Sequence, residues 1–490
     1  MPKTPRLISS KHLAAALLAG LALRLFFIVH RPFPAGDTKF YEELARNWLD
    51  HGIYGLFIRG QLTSVDMRMP GYPAFLAAIY AVLGRSRAAV LFIQAVLDLI
   101  TCVLIGLIAA RLAPISKRAS VSTAALWMAA LCPFTAGYTA ALLTETLATF
   151  FTALTIYALL RAFADPSVQL SAGSLDKKAS LVIAGRFLVA GMLAGIGTLV
   201  RPETPLLLAA AGLVLCVRWR RRMDWPKLAL AGLWMAVGLL LPLAPWAARN
   251  ARTLGRVEFL APHYAETQGD FIPRGFYTWT RTWMVRPRDA YLVPWKLGKE
   301  PIPAEVLPGS AFDSQEERAR VADLLRRYNA GLQMTPVLDH EFANLARERT
   351  RRHPLRTFLI IPLERAAALW FTPRIELLPY SGGLWPSGEK WQSNPWDFGV
   401  TFAYGLVDFA LVGLALAGAW RCRASPGVAL LVAFLVIRTA LLTQLHTVEP
   451  RYIIVCFPAI LALGALAWAN PERSVSAGSE TALEQHNLVS

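Results

Sequence analysis

The chain has 490 residues, of which 55% are hydrophobic and only 17% are charged, and its mean hydropathy is +0.41. Soluble domains carry about 25% charged residues, so the composition excludes an ordinary soluble enzyme and predicts a polytopic membrane protein. The formal net charge is +17. Many basic residues stand beside apolar runs, as at 218–222, so we attribute the surplus to helix orientation and anionic lipid rather than to nucleic acid.

Apolar windows along the chain predict ten membrane spans. They are 12–30, 88–110, 121–142, 145–163, 181–200, 203–217, 227–247, 401–420, 426–445 and 452–469. If the basic N-terminus is inside, the later basic clusters also fall inside, which supports this count. The first window is long enough to span and has no small-residue cleavage site after it, so we expect a signal anchor.

Two further apolar segments are expected to lie along the membrane surface. Residues 355–372 carry Pro362, Glu364 and Arg365 near the middle, and a span there would reverse every later loop. An interfacial amphipathic helix therefore fits better. Residues 70–84 are too short to span comfortably and predict a second juxtamembrane helix.

These assignments predict an all-α polytopic membrane protein with about 10–11 transmembrane helices. The predicted parts are an N-terminal transmembrane module at 1–247 with its first outer loop at 31–87, an external region at 248–356, an interfacial helix and loop at 357–399, C-terminal transmembrane helices at 400–470, and a disordered cytoplasmic tail at 471–490. In the external region, Ser314 is a predicted N-cap with Glu317 as its capping-box partner, and Pro354 ends the last helix.

Motifs of soluble enzymes are absent from the sequence. There is no phosphate-binding loop, zinc-protease motif, nucleophile elbow or dinucleotide fingerprint. The 5 cysteines lie in or beside apolar segments and form no disulfide framework. The candidates for chemistry are therefore the charged residues at the outer ends of the spans.

The first such candidate is Asp37, which follows the first span by a few residues. A carboxylate sheltered at a membrane surface is expected to have a raised pKa and to accept a proton from a hydroxyl. Tyr41 and Glu42 follow within about one helical turn. The alternative is a solvated loop acid. A divalent cation shared by Asp37 and Glu145 stays open, although no outer histidine cluster suggests zinc.

Four arginines in four separate segments fall on the outer side: Arg68, Arg201, Arg249 and Arg451. A protein that needed only topology would keep its cations inside. Guanidinium groups bind phosphate with two hydrogen bonds, so this asymmetry predicts an anion held at the outer leaflet. Taken singly, each arginine could merely anchor a helix end. Asp66 could pair with Arg68.

Charged residues also occur inside the predicted spans: Arg24, Asp98, Asp408 and Arg438. Asp–Arg pairing within the bundle is the simplest explanation. The sharper alternative is a proton relay or a transport path.

Several short motifs resemble one known superfamily when they are taken in order. They are "GDTKFY", "RMPGYPAFL", "LLTE", "LVRPE", "PWAARN", "ERAAALW" and "EPRY", between about residues 12 and 470. This order resembles the GT-C glycosyltransferases, specifically bacterial members related to family 39, which include protein O-mannosyltransferases and lipid A aminoarabinose transferases.

The resemblance implies a membrane enzyme that uses a polyprenyl-phosphate sugar as its donor. It implies Asp37 as the catalytic base, with Glu42, Glu145 or no residue as the second acid. Direct displacement would invert the anomeric centre.

The outer arginines Arg68, Arg201, Arg249 and Arg451 would hold the donor phosphate, and Tyr41, Glu203, Glu449 and Tyr452 would contact substrate. The acceptor would be a lipid, a protein or a glycan, at the periplasmic face of a bacterial inner membrane. Aromatic residues in 271–295 would stack on sugars or form an interfacial belt.

Two other functional classes stay open from the sequence. One is a transporter or flippase for a lipid-linked or anionic substrate, which the charges inside the spans favour. The other is an O-antigen polymerase or ligase, which also uses lipid-linked sugars and external arginines.

Overall fold

The computed structural model describes residues 7–33, 36–164, 177–220, 225–262, 264 and 269–469. The predicted disordered tail at 471–490 lies outside these residues. Within them the chain is helical except for one short hairpin, so the predicted all-α polytopic class is confirmed.

The helices of the first half of the chain come in the following order. They are α1 (Ser10–His30), α2 (Gly36–His51), α3 (Gly71–Leu83), α4 (Arg87–Leu112), α5 (Arg118–Ala130), α6 (Pro133–Tyr138), α7 (Glu145–Phe163), α8 (Lys177–Val200), α9 (Leu206–Arg220) and α10 (Trp225–Leu254). The remaining helices are α11 (Arg274–Arg281), α12 (Pro287–Leu292), α13 (Gln315–Asn329), α14 (Pro336–Arg352), α15 (Ile361–Phe371), α16 (Ser387–Ser393), α17 (Pro395–Arg421), α18 (Pro426–Leu442) and α19 (Phe457–Ala465).

Seven helical segments in the described part of the chain are long and apolar enough to cross a bilayer. They are Ser10–His30, Arg87–Leu112, Glu145–Phe163, Ser180–Val200, Trp225–Leu254, Pro395–Arg421 and Pro450–Trp468. The chain is therefore a multi-pass membrane protein. Two of the remaining predicted windows contain the shorter apolar helices Leu206–Val217 and Pro426–Leu442.

The predicted window 121–142 does not form one helix. Helix α5 ends at Ala130, and α6 begins at Pro133, which has no N–H to continue the helix. Arg24 of α1 caps this end of α5, because its Nη1 donates to the carbonyl oxygen of Ala130 at 2.9 Å. The same guanidinium pairs with Asp98 of α4 at 2.5 Å, so one arginine joins three helices inside the bundle.

A β-hairpin interrupts the first outer loop and was not predicted. Strands Gly55–Ile58 and Gln61–Ser64 pair antiparallel, from Gly55 opposite Ser64 to Ile58 opposite Gln61. Arg59 and Gly60 both have positive φ, at 52° and 81°, as a two-residue hairpin turn requires. The strands are too short to give a clear alternating pattern in the sequence.

The external region has its own hydrophobic core between α11, α13 and α14. The predicted role of two tryptophans from 271–295 in an aromatic belt or in sugar stacking is wrong. Trp279 and Trp283 are buried in this core and contact each other, and Trp279 also packs against Phe276 and Phe342. Tyr291 and Trp295 remain substantially exposed.

The caps of the external helices follow the prediction in part. Ser314 accepts a hydrogen bond from the backbone N–H of Glu317 at 3.1 Å, and α14 ends at Arg352, just before Pro354. The predicted capping box is wrong, because the Glu317 carboxylate pairs with Arg349 and Arg352 instead of the Ser314 N–H. The two arginine side chains bind this carboxylate in preference to the backbone N–H of the cap residue.

Residues 355–372 form a π-helical turn at Arg356–Ile360 followed by α15. One side of the segment packs on the protein through Ile361, Arg365 and Leu369. The other side exposes apolar residues, including Phe358 and Leu363, which is the two-sided pattern of an amphipathic helix. Its location at the membrane surface stays a prediction.

Candidate active site

The start of α2 is fixed against the chain that leads into α7. The backbone N–H of Phe33 donates to the carbonyl of Ala140 at 3.1 Å, and the Thr38 hydroxyl donates to the carbonyl of Leu142 at 3.2 Å. Asp37 stands in the first turn of α2 and Glu145 in the first turn of α7. Two helix starts therefore present acids at the same end of the bundle.

Asp37 is gripped by arginines from two distant segments. Its Oδ1 accepts from Nη2 of Arg68 at 3.1 Å, and its Oδ2 lies 3.4 Å from both Nη1 and Nη2 of Arg451. The Asp37 side chain stays 26% exposed. The structure thus brings together residues that are 31 and 414 positions apart.

The predicted raised pKa of Asp37 is wrong. Burial does raise the pKa of this carboxyl group, but the guanidinium groups of Arg451 and Arg68 outweigh burial and lower the pKa below its ordinary value. Shelter from water alone would raise this pKa, and the ion-pair partners reverse the shift. In the free protein, Asp37 is therefore a carboxylate at neutral pH, and a weak base while both arginines hold it.

A second acid–arginine contact lies beside the first. Nη2 of Arg201 is 3.6 Å from Oε1 of Glu145. The guanidinium carbons of Arg201 and Arg451 lie 5.6 Å and 5.5 Å from the ring centre of Tyr452, within cation–π range. One tyrosine ring therefore joins the two pairs.

Glu449 and Glu203 complete the group. The Tyr452 hydroxyl donates to Glu449 at 2.8 Å, and Glu449 also pairs with Arg451. Glu203 lies 3.7 Å from Nη2 of Arg438. Burial raises the pKa of Glu203, but Arg438 and Arg201 outweigh it and keep the pKa below its ordinary value.

A cavity of about 510 Å³ opens onto these residues. Among the residues that line it are Tyr41, Arg68, Arg201, Glu203 and Tyr452. Burial, with a contribution from Asp37, raises the pKa of Tyr41 to about 12, so this hydroxyl keeps its proton at neutral pH. The lining therefore offers guanidinium groups and a phenol as donors beside one carboxylate, that of Glu203.

Several buried polar atoms around this cavity have no hydrogen-bond partner within the described residues. They are Oε2 of Glu145, Oγ1 of Thr146, Nη1 of Arg201 and Oε2 of Glu203. Buried polar groups in proteins are almost always paired. Such a concentration of unmet donors and acceptors is typical of a site that binds a polar ligand.

Three of the residues considered from the sequence lie elsewhere. Arg249 donates to the backbone carbonyls of Val65 at 2.8 Å and Tyr54 at 2.6 Å, so it braces the outer loop outside the Asp37 group. Glu42 pairs with Arg87 at 2.5 Å instead of contacting the arginines around Asp37. Asp66 pairs with Arg256 at 2.7 Å rather than with Arg68.

Sequence reasoning missed the residues that position Arg451. Arg374 donates to the carbonyl of Pro450 at 2.8 Å and to Asp408 at 3.0 Å, which fixes the turn before Arg451. Nearby, the Tyr138 hydroxyl donates to Glu376 at 2.8 Å, and burial raises the pKa of Glu376. The charges in "TPRIE" after α15 were the available signal.

The four charges that the sequence predicted within the spans each have a partner of opposite charge. Arg24 pairs with Asp98, and Asp408 pairs with Arg374. Arg438 contacts Glu203 and donates to the carbonyl of Tyr452 at 3.1 Å. The predicted intramembrane pairing is thus confirmed, with partners from outside the set for Asp408 and Arg438.

No group of three or more His, Cys, Asp or Glu side chains is arranged to hold a metal ion in the residues that the structure describes. Asp37 and Glu145, which the sequence offered as a shared cation site, each face an arginine.

Comparisons with known proteins return structural neighbours only. No family model matches the chain, and no curated protein matches it. Similar solved structures include the archaeal oligosaccharyltransferase AglB from Archaeoglobus fulgidus in complex with an inhibitory peptide and a dolichol-phosphate, at 12% identity and a TM-score of 0.48 over 93% of this chain and 49% of that chain.

Another similar structure is ArnT from Cupriavidus metallidurans bound to undecaprenyl phosphate. It has 12% identity and a TM-score of 0.38, over 94% of this chain and 78% of that chain. The present chain spans about half the length of the oligosaccharyltransferase, with 49% of it covered. Both neighbours are GT-C glycosyltransferases. Their TM-scores are below 0.5, so neither likeness assigns a role to this chain.

Proposed function

We propose that this protein is a membrane glycosyltransferase that moves a sugar from a polyprenyl-phosphate donor to an acceptor hydroxyl. The observation that carries the proposal is the convergence of Arg68 and Arg451 on Asp37. This group adjoins a cavity of about 510 Å³, which Arg68 lines. A base and a set of phosphate ligands are the two things that such a transfer needs.

The donor phosphate would bind the arginines of this group. Without donor, Arg68 and Arg451 each contact Asp37. Arg201 has a buried nitrogen without a partner among the described residues. A phosphate that takes hydrogen bonds from Arg68 and Arg451 would compete with Asp37 for them. As these contacts weaken, the pKa of Asp37 would rise and the carboxylate would become a better base.

The chemical step would then be a direct displacement. The acceptor oxygen forms a bond to the anomeric carbon while the bond from that carbon to the phosphate oxygen breaks. The acceptor proton passes to Asp37, and the negative charge that develops on the phosphate is met by Arg68, Arg201 and Arg451. Each well-placed donor of this kind typically contributes about 3 kcal/mol to the transition state. The anomeric configuration would invert.

The position of the cavity fits a lipid-linked donor. It lies where α1 has ended and α2 begins, at the ends of α7, α8 and α18. A phosphate in the headgroup layer would reach this level while its polyprenyl chain remained in the bilayer. We place the site on the periplasmic side of a bacterial inner membrane, because the basic clusters of the other loops follow the positive-inside rule.

The test is transfer by purified protein from polyprenyl-phosphate-linked hexoses and pentoses, measured as release of polyprenyl phosphate in the presence of membrane acceptors. Replacing Asp37 with Asn should lower transfer about 100-fold to 10,000-fold. The matched control is Asp50→Asn, at the other end of α2, where the acid pairs with Arg85 near the surface.

Full transfer by Asp37→Asn would remove Asp37 as the base. Absence of turnover with every donor in the folded wild-type protein, together with no polyprenyl-phosphate sugar among its co-purified lipids, would contradict the function itself.

A further inference from the structure

A second cavity lies between the external region and the amphipathic helix α15. Its volume is about 400 Å³, and four arginines line it: Arg281 of α11, Arg347 and Arg351 of α14, and Arg365 of α15. No carboxylate is among its lining residues. Such a wall of one sign is expected to attract anions.

Neighbouring arginines outside the cavity are arranged differently. Arg349, Arg352 and Arg356 all pair with Asp313 or Glu317. In the described part of the chain, none of the four cavity arginines forms an ion pair with an acid. Arg281 and Arg347 have only the neutral amide partners Gln444 and Asn344. The four cavity arginines therefore share one space without a counter-charge from the described residues.

Arg365 is the deepest of the four, with 1% of its surface exposed. Its Nε donates to the carbonyl of Met284 at 2.7 Å, and its Nη1 donates to the carbonyls of Thr443 at 3.0 Å and Leu445 at 2.9 Å. Its Nη2 is buried and has no partner within the described residues. Removing one charged group from water without a counter-charge is costly, so an anion at Nη2 would satisfy both the charge and the donor.

The electrostatics of Arg365 agree with this geometry. Burial, with a smaller contribution from Arg281, lowers the pKa of Arg365 to about 10. The group is still a cation at neutral pH, and a bound anion would raise its pKa again.

The surroundings of the cavity favour a lipid as the source of the anion. Phe358 lines the cavity and is 74% exposed, and Leu355 and Leu363 on the same segment are 72% and 61% exposed. An amphipathic helix with such an apolar side lies at the boundary between headgroups and acyl chains. A headgroup phosphate could enter the arginine cavity while the acyl chains contacted these side chains.

We propose that this cavity binds the phosphate group of an anionic lipid headgroup. The site is distinct from the donor cavity. The chain at 441–447 separates them, with Leu441 and Leu445 on the donor side and Thr443 and Gln444 on this side. A lipid bound here bridges α11, α14 and α15 and so holds the external region on α15.

The experiment measures binding by calorimetry to the full-length protein, delipidated in an uncharged detergent. The probes are dihexanoyl phosphatidic acid, dihexanoyl phosphatidylcholine, which has the same chains and no net charge, and inorganic phosphate. The test variant is Arg281→Gln/Arg351→Gln, which leaves the buried Arg365 in place. The control is Arg320→Gln/Arg326→Gln, which removes two equal charges from α13, where both arginines are paired with acids.

We expect phosphatidic acid to bind more tightly than the other two probes, and the test variant to weaken its binding by at least about tenfold, as the loss of a charged hydrogen bond implies. The control variant and Asp37→Asn should bind like the wild type. Equal binding by the test and control variants would overturn the site. Inorganic phosphate that bound as tightly as the lipid, with the same loss in the test variant, would overturn the lipid assignment and leave a free-phosphate site.

Discussion

Asp98 and Asp37 are both carboxylates that face arginine, but their surroundings differ. Asp98 is 3% exposed, and its partner Arg24 donates from every guanidinium nitrogen, to Asp98, to Cys102 and to helix carbonyls. Asp37 is 26% exposed, its contacts with Arg68 and Arg451 are longer, and buried polar atoms around it lack partners among the described residues. We call the first pair saturated, because every guanidinium nitrogen of Arg24 has a partner, and such a pair holds helices together. We call the Asp37 pair unsaturated, because its contacts are longer and nearby polar atoms lack partners among the described residues. An unsaturated pair can exchange one partner for a ligand.

The largest effect is expected at the saturated pair. Replacing Arg24 with Met leaves Asp98 buried without a counter-charge, which should lower the free energy of unfolding by about 3–5 kcal/mol. The double variant Arg24→Met/Asp98→Leu removes both charges and should recover most of this loss. Thermal or denaturant unfolding in detergent measures both, and transfer per folded molecule should not change.

A double variant as unstable as Arg24→Met would show that the carbonyl contacts at Ala130 matter more than the charge pair. Lost transfer in a folded double variant would place this pair in the chemistry.

At the Asp37 pair the main effect is expected on transfer. Replacing Arg451 with Gln should lower transfer per folded molecule about 100-fold to 1,000-fold, because one donor to the developing phosphate charge is lost. The unfolding free energy should also fall, because Glu449, which is 2% exposed, loses the ion pair with Arg451. Steady-state transfer and unfolding of the same preparation give the two numbers.

The matched control for Arg451 is Arg249, an outer arginine that braces backbone carbonyls instead of facing Asp37. Arg249→Gln leaves the carbonyls of Tyr54 and Val65 without these donors, and we expect a loss of about 1–3 kcal/mol in the unfolding free energy. Transfer by the folded fraction should stay at the wild-type rate. A loss of transfer that matched Arg451→Gln would return Arg249 to the phosphate site.

The sequence predicted which segments meet at the site better than it predicted what each side chain does there. Each outer loop begins at the end of an apolar window, so the windows alone place Asp37, Arg201 and Arg451 on one side of the membrane. The windows do not predict which way each side chain points within a loop. Arg249 follows "PWAA" as Arg201 follows "TLV", yet one turns to the backbone of the hairpin and the other to Glu145.

The features that were missed depend on contacts between distant segments. The hairpin that receives Arg249 gave no signal of its own. The broken window at 121–142 could be recognised only from Pro133, and the capping of Ala130 by Arg24 required the packing of α1 on α5. The pKa of Asp37 was predicted with the wrong sign for the same reason, because Arg451 is 414 residues away.

The smallest effect concerns pH and tests the unsaturated pair most finely. The pKa of Asp37 is lowered from 3.8 in the folded protein, so the stabilisation from its ion pairs is present above pH 3.8 and is lost only as pH falls through the lower folded value. For the free enzyme, kcat/KM should therefore show no loss from Asp37 between about pH 8 and about pH 5. Because the proposed donor phosphate draws Arg68 and Arg451 away, the acid limb of kcat should lie at higher pH than that of kcat/KM. Arg68→Gln should move the limb of kcat/KM upward as well. A wild-type limb in kcat/KM near neutrality would mean that the two arginines do not hold Asp37 in the working enzyme.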